Sequence, residues 1–472
     1  MSSRGRWLLV VVLIALAHAF AYISIQRAEW DEVWTDQAGY QLLGKSIAET
    51  GRFTRASRGE PFAPEAIRTP AYPMFVAAVY RLAGISHEAV AVAQAFVFAA
   101  LTVLVYALGQ RVAGETAARL AAMATALFSP LPYFGALVMT ELWTAFALTL
   151  AVLLVIRAVQ ENRYLWYAVA GAACALVALS RPVFVLLPFF LVAADLAAGW
   201  VNRTVRLAGW VVLLATLVVS MLPWFAYNSR YFHRVTISPA GGVGRGLWEG
   251  SWQGRWAGRL QAQLTRIADD TPDRAELDAR VREVAGENGL PPEPMLEYVH
   301  QWQDIRRVWT EPRDPNQRAI ARVRADQEYA RVALRNISRD VPSFAIRRLT
   351  RGVFFLWAAE IPVTYTRINA LPSWSVRAMW IVQMVIVVMA LWGIVVLSSG
   401  GRIREAAVLG MVMLYVTLVH VPLLTEARQS LPAMPAVLLL AAIAAARLSG
   451  RSLALEPEVH ERQHLRQPGL RL

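Results

Sequence analysis

Ten apolar segments of roughly membrane-spanning length constrain this chain more than any other feature. They cover residues 7–25, 88–110, 116–137, 140–158, 164–180, 183–200, 208–227, 374–398, 406–424 and 431–449. A helix that crosses a bilayer needs about 20 mostly apolar residues. No clear cleavage site follows the first segment, so we interpret it as a retained helix rather than a signal peptide. The pattern predicts an all-α polytopic membrane protein with about ten transmembrane helices.

The composition excludes the main alternatives to a membrane protein. Hydrophobic residues make up 56% of the 472 residues, and charged residues only 17%. A soluble domain carries about 25% charged and about 45–50% apolar residues. A disordered chain has few apolar residues and many charges. The sequence is therefore neither a soluble globular enzyme nor a disordered chain.

The formal net charge of +13 comes almost entirely from arginine, because Lys45 is the only lysine. The basic residues are scattered over the loops instead of forming one stripe, so we expect no nucleic acid partner. Arginines in short loops favour the cytoplasmic side. With the N-terminus inside, these arginines are all cytoplasmic: Arg4, Arg6, Arg111, Arg157, Arg163, Arg203, Arg206, Arg402, Arg404 and Arg451. We therefore expect a multi-pass protein of the inner (plasma) membrane with both termini in the cytoplasm.

The same topology divides the chain into four parts. Residues 1–227 form an N-terminal transmembrane module whose first outer loop covers 26–86. Residues 228–373 form an extracytoplasmic region, mainly helical, because "RAELDARVREVA" and "NQRAIARVRADQEYARVALRNI" repeat apolar residues every three or four positions. Residues 374–449 contain the last transmembrane helices, and 450–472 form a cytoplasmic tail. Residues 71–86 are too short to span and predict an amphipathic helix in the interface.

Neither a disulfide nor a metal site is expected. Cys174 is the single cysteine and lies in an apolar segment. No Cys/His cluster has zinc-ligand spacing. The sequence also lacks a phosphate-binding glycine motif on a strand–helix unit.

Charged residues beside the apolar segments are concentrated on the outer side. Charges near a membrane are costly and commonly mark a functional site. Asp31, Glu32 and Asp36 lie near the start of the first outer loop, and further charges follow at the outer ends of later segments. These residues are Asp31, Glu32, Asp36, Arg68, Glu141, Arg181, His420, Glu426 and Arg428. A carboxylate there could accept a proton from a hydroxyl, and arginines could hold a phosphate.

The motifs around these residues resemble those of the GT-C glycosyltransferases. In order along the chain they are "D-x-x-x-Y" after the first segment, "RTPAYP", "TELW", "LSRP", "PWFAYN" and "EARQSLPAMP". The branch they resemble contains bacterial relatives of protein O-mannosyltransferases and lipid A aminoarabinose transferases. The resemblance covers roughly residues 1–240 and 340–450.

The resemblance implies an enzyme that transfers a sugar from a polyprenyl-phosphate donor outside the cytoplasm. It assigns the role of base to Asp36, which Tyr40 follows four residues later. Four further positions match the pattern: Arg68, Glu141, Glu426 and Arg428. The resemblance implies no cofactor and no required divalent metal. Partners would be the lipid-linked sugar, membrane lipids and an acceptor glycan, lipid or protein.

The chain departs from that family pattern at three positions. Gln37, Ala71 and Gln429 stand where the family commonly has Glu or Gly, Gly, and Tyr. These departures bear on the substrate more than on the type of reaction.

Several candidate residues have a structural alternative. Asp36 could cap a helix that begins near Gln37. Arg428 could form a local ion pair with Glu426, and Arg181 could extend to the interface from a helix end.

Other candidates are secondary to these. Lys45 could bind the donor phosphate or lie on a solvated helix face, and His420 could be a buried structural histidine. Asp31 and Glu32 could support Asp36 or replace it as the base.

Two other functions fit a polytopic protein with charged outer loops. A secondary transporter would have paired repeats and ionisable residues near the bilayer midplane. A lipid-linked glycan ligase or polymerase would use a pyrophosphate-linked donor. The charges lie at segment ends and no repeat is evident, so we expect a glycosyltransferase.

Overall fold

The computed structural model describes residues 2–27, 30, 35–56, 59–201, 207–363 and 371–450. Within these residues the regular structure is helical, apart from one isolated bridge between Thr54 and Pro64. Asp31, Glu32 and residues 451–472 of the predicted tail lie outside the described residues. The chain is an all-α polytopic membrane protein, as the apolar segments predict.

Eight helices in the described part of the chain are long and apolar enough to cross a membrane. They are α1 (Ser3–Gln26), α4 (His87–Ala113), α7 (Glu141–Glu161), Pro182–Val201, which contains α9 (Leu187–Val201), α10 (Ala208–Phe232), α18 (Ser373–Ser399), α19 (Ile403–His420) and Ala427–Leu448, which ends in α20 (Met434–Leu448). A ninth apolar helix, α8 (Tyr164–Ser180), has 17 residues.

The predicted segment 116–137 is not one continuous helix. It consists of α5 (Glu115–Leu127) and the short α6 (Pro130–Gly135). Pro130 has no N–H to donate to the carbonyl of Ala126, and its ring would collide with that carbonyl in a continuous helix. His18 of α1 takes over the freed carbonyl, with its Nδ1 atom 2.8 Å from the Ala126 oxygen. The break is therefore compensated by a contact between helices.

Glycines let the spanning helices pack closely. A Cβ on Gly393 of α18 would lie 2.0 Å from the Leu440 carbonyl oxygen of α20. A Cβ on Gly171 of α8 would lie 2.3 Å from the Leu213 carbonyl oxygen of α10. Small residues at such positions are typical of helix packing in membranes, where backbones approach without a hydrophobic driving force.

The first outer loop contains two helices that pack together beside the bundle. They are α2 (Thr35–Thr50) and α3 (Ala71–Ala83). The face of α3 that contains Tyr72, Val76 and Tyr80 is buried. The predicted helix of residues 71–86 is thus present and anchored on α2.

The region after α10 forms a helical unit with its own core. Its helices are α11 (Val243–Trp252), α12 (Gly258–Asp270), α13 (Arg274–Glu287), α14 (Glu293–Thr310), α15 (Pro315–Ser338), α16 (Val341–Arg347) and α17 (Val353–Trp357), with a π-helical turn at Arg348–Gly352 between the last two. Trp248, Trp252, Tyr298, Trp302 and Tyr329, from α11, α14 and α15, pack in its centre, whereas Leu356 and Trp357 of α17 pack with the core of the membrane bundle. The two helices predicted from apolar periodicity correspond to α13 and α15.

The antiparallel order of the helices brings several termini to one end of the bundle. Helix α7 begins at Glu141 and α8 ends at Ser180, and the two are joined by a tight turn at Asn162, whose φ is 50°. Glu141 and Arg181 therefore lie at the same end. The connector between α19 and α20 reaches that end as well.

Candidate active site

Asp36 lies between two arginines that are distant from it in sequence. Its Oδ1 atom is 3.1 Å from Nη2 of Arg68, and its Oδ2 atom is 3.6 Å from Nη1 of Arg428. The Asp36 side chain is 49% exposed, whereas those of Arg68 and Arg428 are 9% and 21% exposed. A reachable carboxylate is thus held between two largely buried guanidinium groups.

Glu141 connects this group to a third arginine. Its Oε1 atom lies 3.8 Å from Nη1 of Arg428 and 3.5 Å from Nη2 of Arg181. The Glu141 side chain is 1% exposed, and its Oε2 atom has no hydrogen-bond partner in the described part of the chain. Nη1 of Arg181 is likewise buried and lacks one. The cluster therefore has polar capacity that its own side chains leave unused.

Glu426 orients Arg428 from within the same connector. Its Oε2 atom accepts a hydrogen bond of 2.8 Å from Nε of Arg428. Gln429 closes a capping box, because its Oε1 atom accepts the backbone N–H of Glu426 at 3.2 Å. This local role explains how Gln429 fits where the family pattern commonly has Tyr. The ion pair considered from the sequence exists, and it belongs to the larger cluster.

Helix α2 brings Asp36 to the site, and its sequence is fitted to Arg68. The helix begins at Thr35, so Asp36 lies in its first turn and is not an N-cap. The Arg68 guanidinium stacks over the ring of Tyr40 at 5.0 Å. A Cβ on Gly39 would lie 2.3 Å from Cζ of Arg68. The glycine thus leaves room for Arg68 to reach Asp36.

Gln37 connects helix α2 to the bundle. Its Oε1 atom accepts the backbone N–H of Val138 at 3.1 Å, three residues before Glu141. This hydrogen bond fixes the distance between the first outer loop and the start of α7. Gln37 therefore has a structural function at a position where the family pattern differs.

Glu360 is a site residue that the sequence analysis missed. It follows α17 and is largely buried. The pKa of the Glu360 carboxyl is raised to about 7, mainly by burial. Arg428 opposes this shift in pKa, and the nearby carboxylates of Glu426 and Glu141 contribute to it. The only signal in the sequence is one acidic residue in "WAAEIPV", which matches no motif.

Arg348 is a second missed residue, and it holds the connector that carries Glu426 and Arg428. Its guanidinium is buried and donates to the carbonyl oxygen of Val421 at 2.6 Å and to Oε1 of Gln253 at 2.7 Å. It also donates to the Leu423 carbonyl oxygen and to Oγ1 of Thr425. One side chain therefore satisfies several acceptors of the turn. Its position in an arginine-rich stretch gave no distinguishing signal.

Two of the predicted residues lie away from the charges. Lys45 is exposed on helix α2 and has no ion pair among the described residues, so the structure does not bring it into the cluster. It lies nine residues after Asp36, on a different face of the helix. His420 is buried, and its Nδ1 atom lies 2.9 Å from the Val416 carbonyl oxygen. The contact of His420 is therefore within its own helix, α19.

The cluster as a whole can bind an oxyanion beside a carboxylate that water reaches. Three guanidinium groups lie around Asp36 and Glu141, and arginine matches the geometry of phosphate oxygens. No group of three His, Cys, Asp or Glu residues suited to a metal ion occurs in the described ranges. This constellation is at one end of an all-helical membrane bundle.

The helical bundle has the fold of the GT-C glycosyltransferases, as the sequence motifs imply. Residues 67–224 match the family of dolichyl-phosphate-mannose-protein mannosyltransferases. No curated protein matches the chain.

The solved structures that resemble this chain are distant from it in sequence. AglB, the archaeal oligosaccharyltransferase from Archaeoglobus fulgidus, in complex with an inhibitory peptide and a dolichol-phosphate, has a TM-score of 0.53 at 14% identity over 98% of this chain. The apo form of the same oligosaccharyltransferase has a TM-score of 0.51 at 13% identity over 97% of this chain. This chain covers 52% of either oligosaccharyltransferase chain, about half its length. ArnT from Cupriavidus metallidurans, bound to undecaprenyl phosphate, gives 0.37 at 17% identity over 95% of this chain and 79% of that chain.

Proposed function

We propose that the protein transfers a sugar from a polyprenyl-phosphate donor to an acceptor hydroxyl on the extracytoplasmic side of the membrane. The observation that carries the proposal is the half-exposed Asp36 carboxylate between the guanidinium groups of Arg68 and Arg428. It lies where bundle helices end, so a lipid phosphate can arrive from the bilayer and an acceptor from water. The dolichol-phosphate named with the archaeal oligosaccharyltransferase supports a lipid-linked donor.

In this proposal the arginines hold the donor and Asp36 receives the proton. Arg428, Arg181 and Arg68 bind the phosphate of the donor and neutralise its growing charge. The acceptor oxygen attacks the anomeric carbon from the face opposite the phosphate, and its proton passes to Asp36. The bond from that carbon to the phosphate oxygen breaks, and the electron pair stays on the phosphate. The transfer therefore inverts the anomeric configuration.

We further propose that the arginines, and not a cofactor or divalent metal, supply the positive charge opposite the leaving phosphate. Three guanidinium groups around one site support this, since each is a permanent cation. Transfer should persist in EDTA at an unchanged rate. Restoration of a lost activity by one added divalent metal would contradict this part of the proposal.

The positions of the charges favour a transferase over a transporter. Glu141 is the first residue of α7, Arg181 follows the last residue of α8, and Arg428 precedes α20. A carrier would place such groups near the bilayer midplane. A glycan ligase or polymerase would use a pyrophosphate-linked donor. Assays with a panel of monophosphate- and pyrophosphate-linked sugars therefore distinguish such an enzyme from the proposed glycosyltransferase.

The first test replaces Asp36 with asparagine, which keeps the shape and removes the base. We expect Asp36→Asn to lower transfer by about 10²-fold or more, with the protein still inserted and still able to bind undecaprenyl phosphate. The assay uses purified protein in nanodiscs, a panel of polyprenyl-phosphate sugars and envelope extract as acceptor, and NMR of the product gives its anomeric configuration.

The matched control is Asp304→Asn, which removes an exposed carboxylate of α14 that pairs with Arg274 of α13 and with no residue of the cluster in the described part of the chain. It should transfer at the wild-type rate. Near-normal transfer by Asp36→Asn would remove Asp36 from the mechanism, and a retained configuration would exclude the inverting step.

A further inference from the structure

An arginine-lined cavity lies between the first outer loop and helix α15. Its volume is about 440 Å³. The side chains that matter for its chemistry are those of Arg55, Glu60, Glu65, Arg318 and Arg322. The cavity is formed by the outer loop and the outer helical unit, so it faces the water side of the protein and is separate from the cluster around Asp36.

Arg318 and Arg322 supply positive charge that the cavity does not balance. They are four residues apart on α15 and share one face, where like charges repel. Neither has an ion pair in the part of the chain that the structure describes. Nε of Arg318 donates to the Pro312 carbonyl oxygen at 3.2 Å, and Arg322 stacks over Trp309 at 4.6 Å. The remaining guanidinium donors are available to a ligand.

Glu65 does not neutralise this pair, because it is occupied by other partners. Its Oε2 atom lies 2.6 Å from Nε of Arg55. Its Oε1 atom accepts the backbone N–H groups of Ile67 at 2.9 Å and Arg68 at 3.2 Å. The carboxylate thus compensates Arg55 and fixes the segment leading to Arg68. Glu60 is exposed at the edge of the cavity.

The environment of Arg322 is consistent with an excess of positive charge. The pKa of Arg322 is lowered to about 10, mainly by burial. The neighbouring Arg55, Arg68 and Arg318 contribute to this lowering, and Glu65 opposes it. A bound oxyanion would relieve this repulsion. The planar fork of donors on arginine suits phosphate oxygens in particular.

We propose that this cavity binds a phosphate group of the acceptor, so that the acceptor of the sugar is a phosphate-bearing molecule. The proposal rests on the proposed function. Glu65 forms part of the cavity wall and also holds the backbone of Arg68, whose side chain reaches Asp36. A phosphate held by Arg318 and Arg322 therefore anchors the acceptor beside the carboxylate that receives its proton. The donor phosphate has its own arginines, Arg428 and Arg181.

The direct test measures the binding of inorganic pyrophosphate by titration calorimetry to the full chain in phosphatidylcholine nanodiscs. The double variant R318Q/R322Q should weaken binding at least tenfold. The matched control R324Q/R335Q removes two exposed arginines from the same helix and should bind within twofold of the wild type. The single variant Arg318→Gln changes an exposed residue only and should give an intermediate loss if the double variant is unstable.

Three results would overturn the proposal. One is wild-type affinity in R318Q/R322Q. Another is an equal loss in R324Q/R335Q, since that would reflect net charge alone. The third is binding abolished by Arg428→Gln but unchanged in R318Q/R322Q, since that would place the anion at the donor site.

Two further experiments are needed. The first distinguishes a phosphate of the acceptor from a phosphate of a bilayer headgroup, and the second distinguishes failure of this proposal from failure of the proposed function. In nanodiscs with phosphatidylglycerol, a fall in pyrophosphate affinity that occurs in the wild type and not in R318Q/R322Q would assign the cavity to a bilayer headgroup. In the transfer assay, R318Q/R322Q should raise KM for the acceptor tenfold and leave KM for the donor unchanged. If the wild type transfers no sugar, the acceptor assignment fails with the proposed function, and the calorimetry still decides whether the cavity binds phosphate.

Discussion

Gly39 shows how one absent side chain shapes the site. A Cβ there would overlap the guanidinium of Arg68, which is the end of a flexible side chain. The arginine can therefore move aside without disrupting the helix, but it then leaves Asp36. The position affects the geometry of the reaction more than the stability of the fold.

We accordingly expect Gly39→Ala to lower transfer by about 10²-fold, because a misplacement of about 1 Å has effects of that size. Its thermal unfolding midpoint should stay close to that of the wild type. The matched variant is Gly258→Ala, whose Cβ would meet no atom within 4 Å, and it should be fully active. Equal activity of the two variants would show that Arg68 tolerates displacement.

The raised pKa of Glu360 predicts that the stability of the folded protein depends on pH. Its folded-state pKa of about 7 lies above the ordinary value of 4.5, mainly because of burial. A carboxyl with a raised pKa stabilises the folded state below its ordinary pKa, and this contribution is lost as the pH rises through the folded value. The wild type should therefore lose stability between about pH 4.5 and 7.

Glu360→Gln should remove this part of the pH dependence, whereas Glu287→Gln, an exposed residue of α13, should not. The measurement is the thermal midpoint in nanodiscs as a function of pH for the three proteins. Parallel curves for wild type and Glu360→Gln would mean that Glu360 ionises in its usual range.

At the scale of secondary-structure elements, the π-helical turn at Arg348–Gly352 holds the connector after α19 in place. Arg348 in the turn ties down the connector through Val421, Leu423 and Thr425. Helix α11 packs against the connector from the other side, where the backbone N–H of Leu424 donates to the Gly246 carbonyl oxygen at 2.7 Å. The outer helical unit thus positions the arginine that contacts Asp36.

Arg348→Met should lower stability by at least about 2 kcal/mol, because each buried acceptor left without a partner costs about 1–3 kcal/mol. It should also weaken the binding of undecaprenyl phosphate, since the connector carries Arg428. Arg348→Lys keeps the charge but not the planar fork. Its stability and its affinity for undecaprenyl phosphate should lie between those of Arg348→Met and the wild type. Arg335→Met is the exposed control. Normal donor binding by a destabilised Arg348→Met would show that the connector holds its shape without the contact.

At the scale of the whole molecule, the charges define the two ends of the bundle. Arg111 and Glu161 form an ion pair of 3.0 Å at the end opposite the candidate site, and Arg402 donates to the Val112 carbonyl oxygen at 2.6 Å there. Buried Asp195 pairs with Arg404 at 3.5 Å and accepts from Trp210. We propose that this end is cytoplasmic and the site end extracytoplasmic.

This orientation can be tested by labelling, because Cys174 is buried and is the only native cysteine. A membrane-impermeant maleimide should label Glu311→Cys in intact spheroplasts. Ser399→Cys, at the opposite end, should be labelled only after lysis. The reverse pattern would contradict the proposed topology and place the site on the cytoplasmic face.

Much of the fold could be predicted from local sequence. Backbone groups in a bilayer must be satisfied within each segment, so a long apolar run specifies a helix without reference to the rest of the chain. The amphipathic periodicity of α13 and α15 was similarly local. The apolar segment 116–137 is not one continuous helix, because Pro130 cannot continue α5. The proline is visible in the sequence, whereas the contact of His18 that compensates for the break depends on the tertiary structure.

For the candidate site, too, the sequence predicted one part and the tertiary structure decided the rest. The sequence motifs indicate Asp36, Arg68, Glu141, Arg181, Glu426 and Arg428 as site residues, because each motif is a short local pattern in the outer loops or at the ends of apolar segments. Only the tertiary structure decided that these six form one cluster, that Lys45 stands apart, that Glu360 lies beside the cluster, and that Arg348 holds the connector that carries Glu426 and Arg428. Those outcomes depend on distances between residues hundreds of positions apart, and such distances are fixed by how helices pack, not by the composition of any one of them.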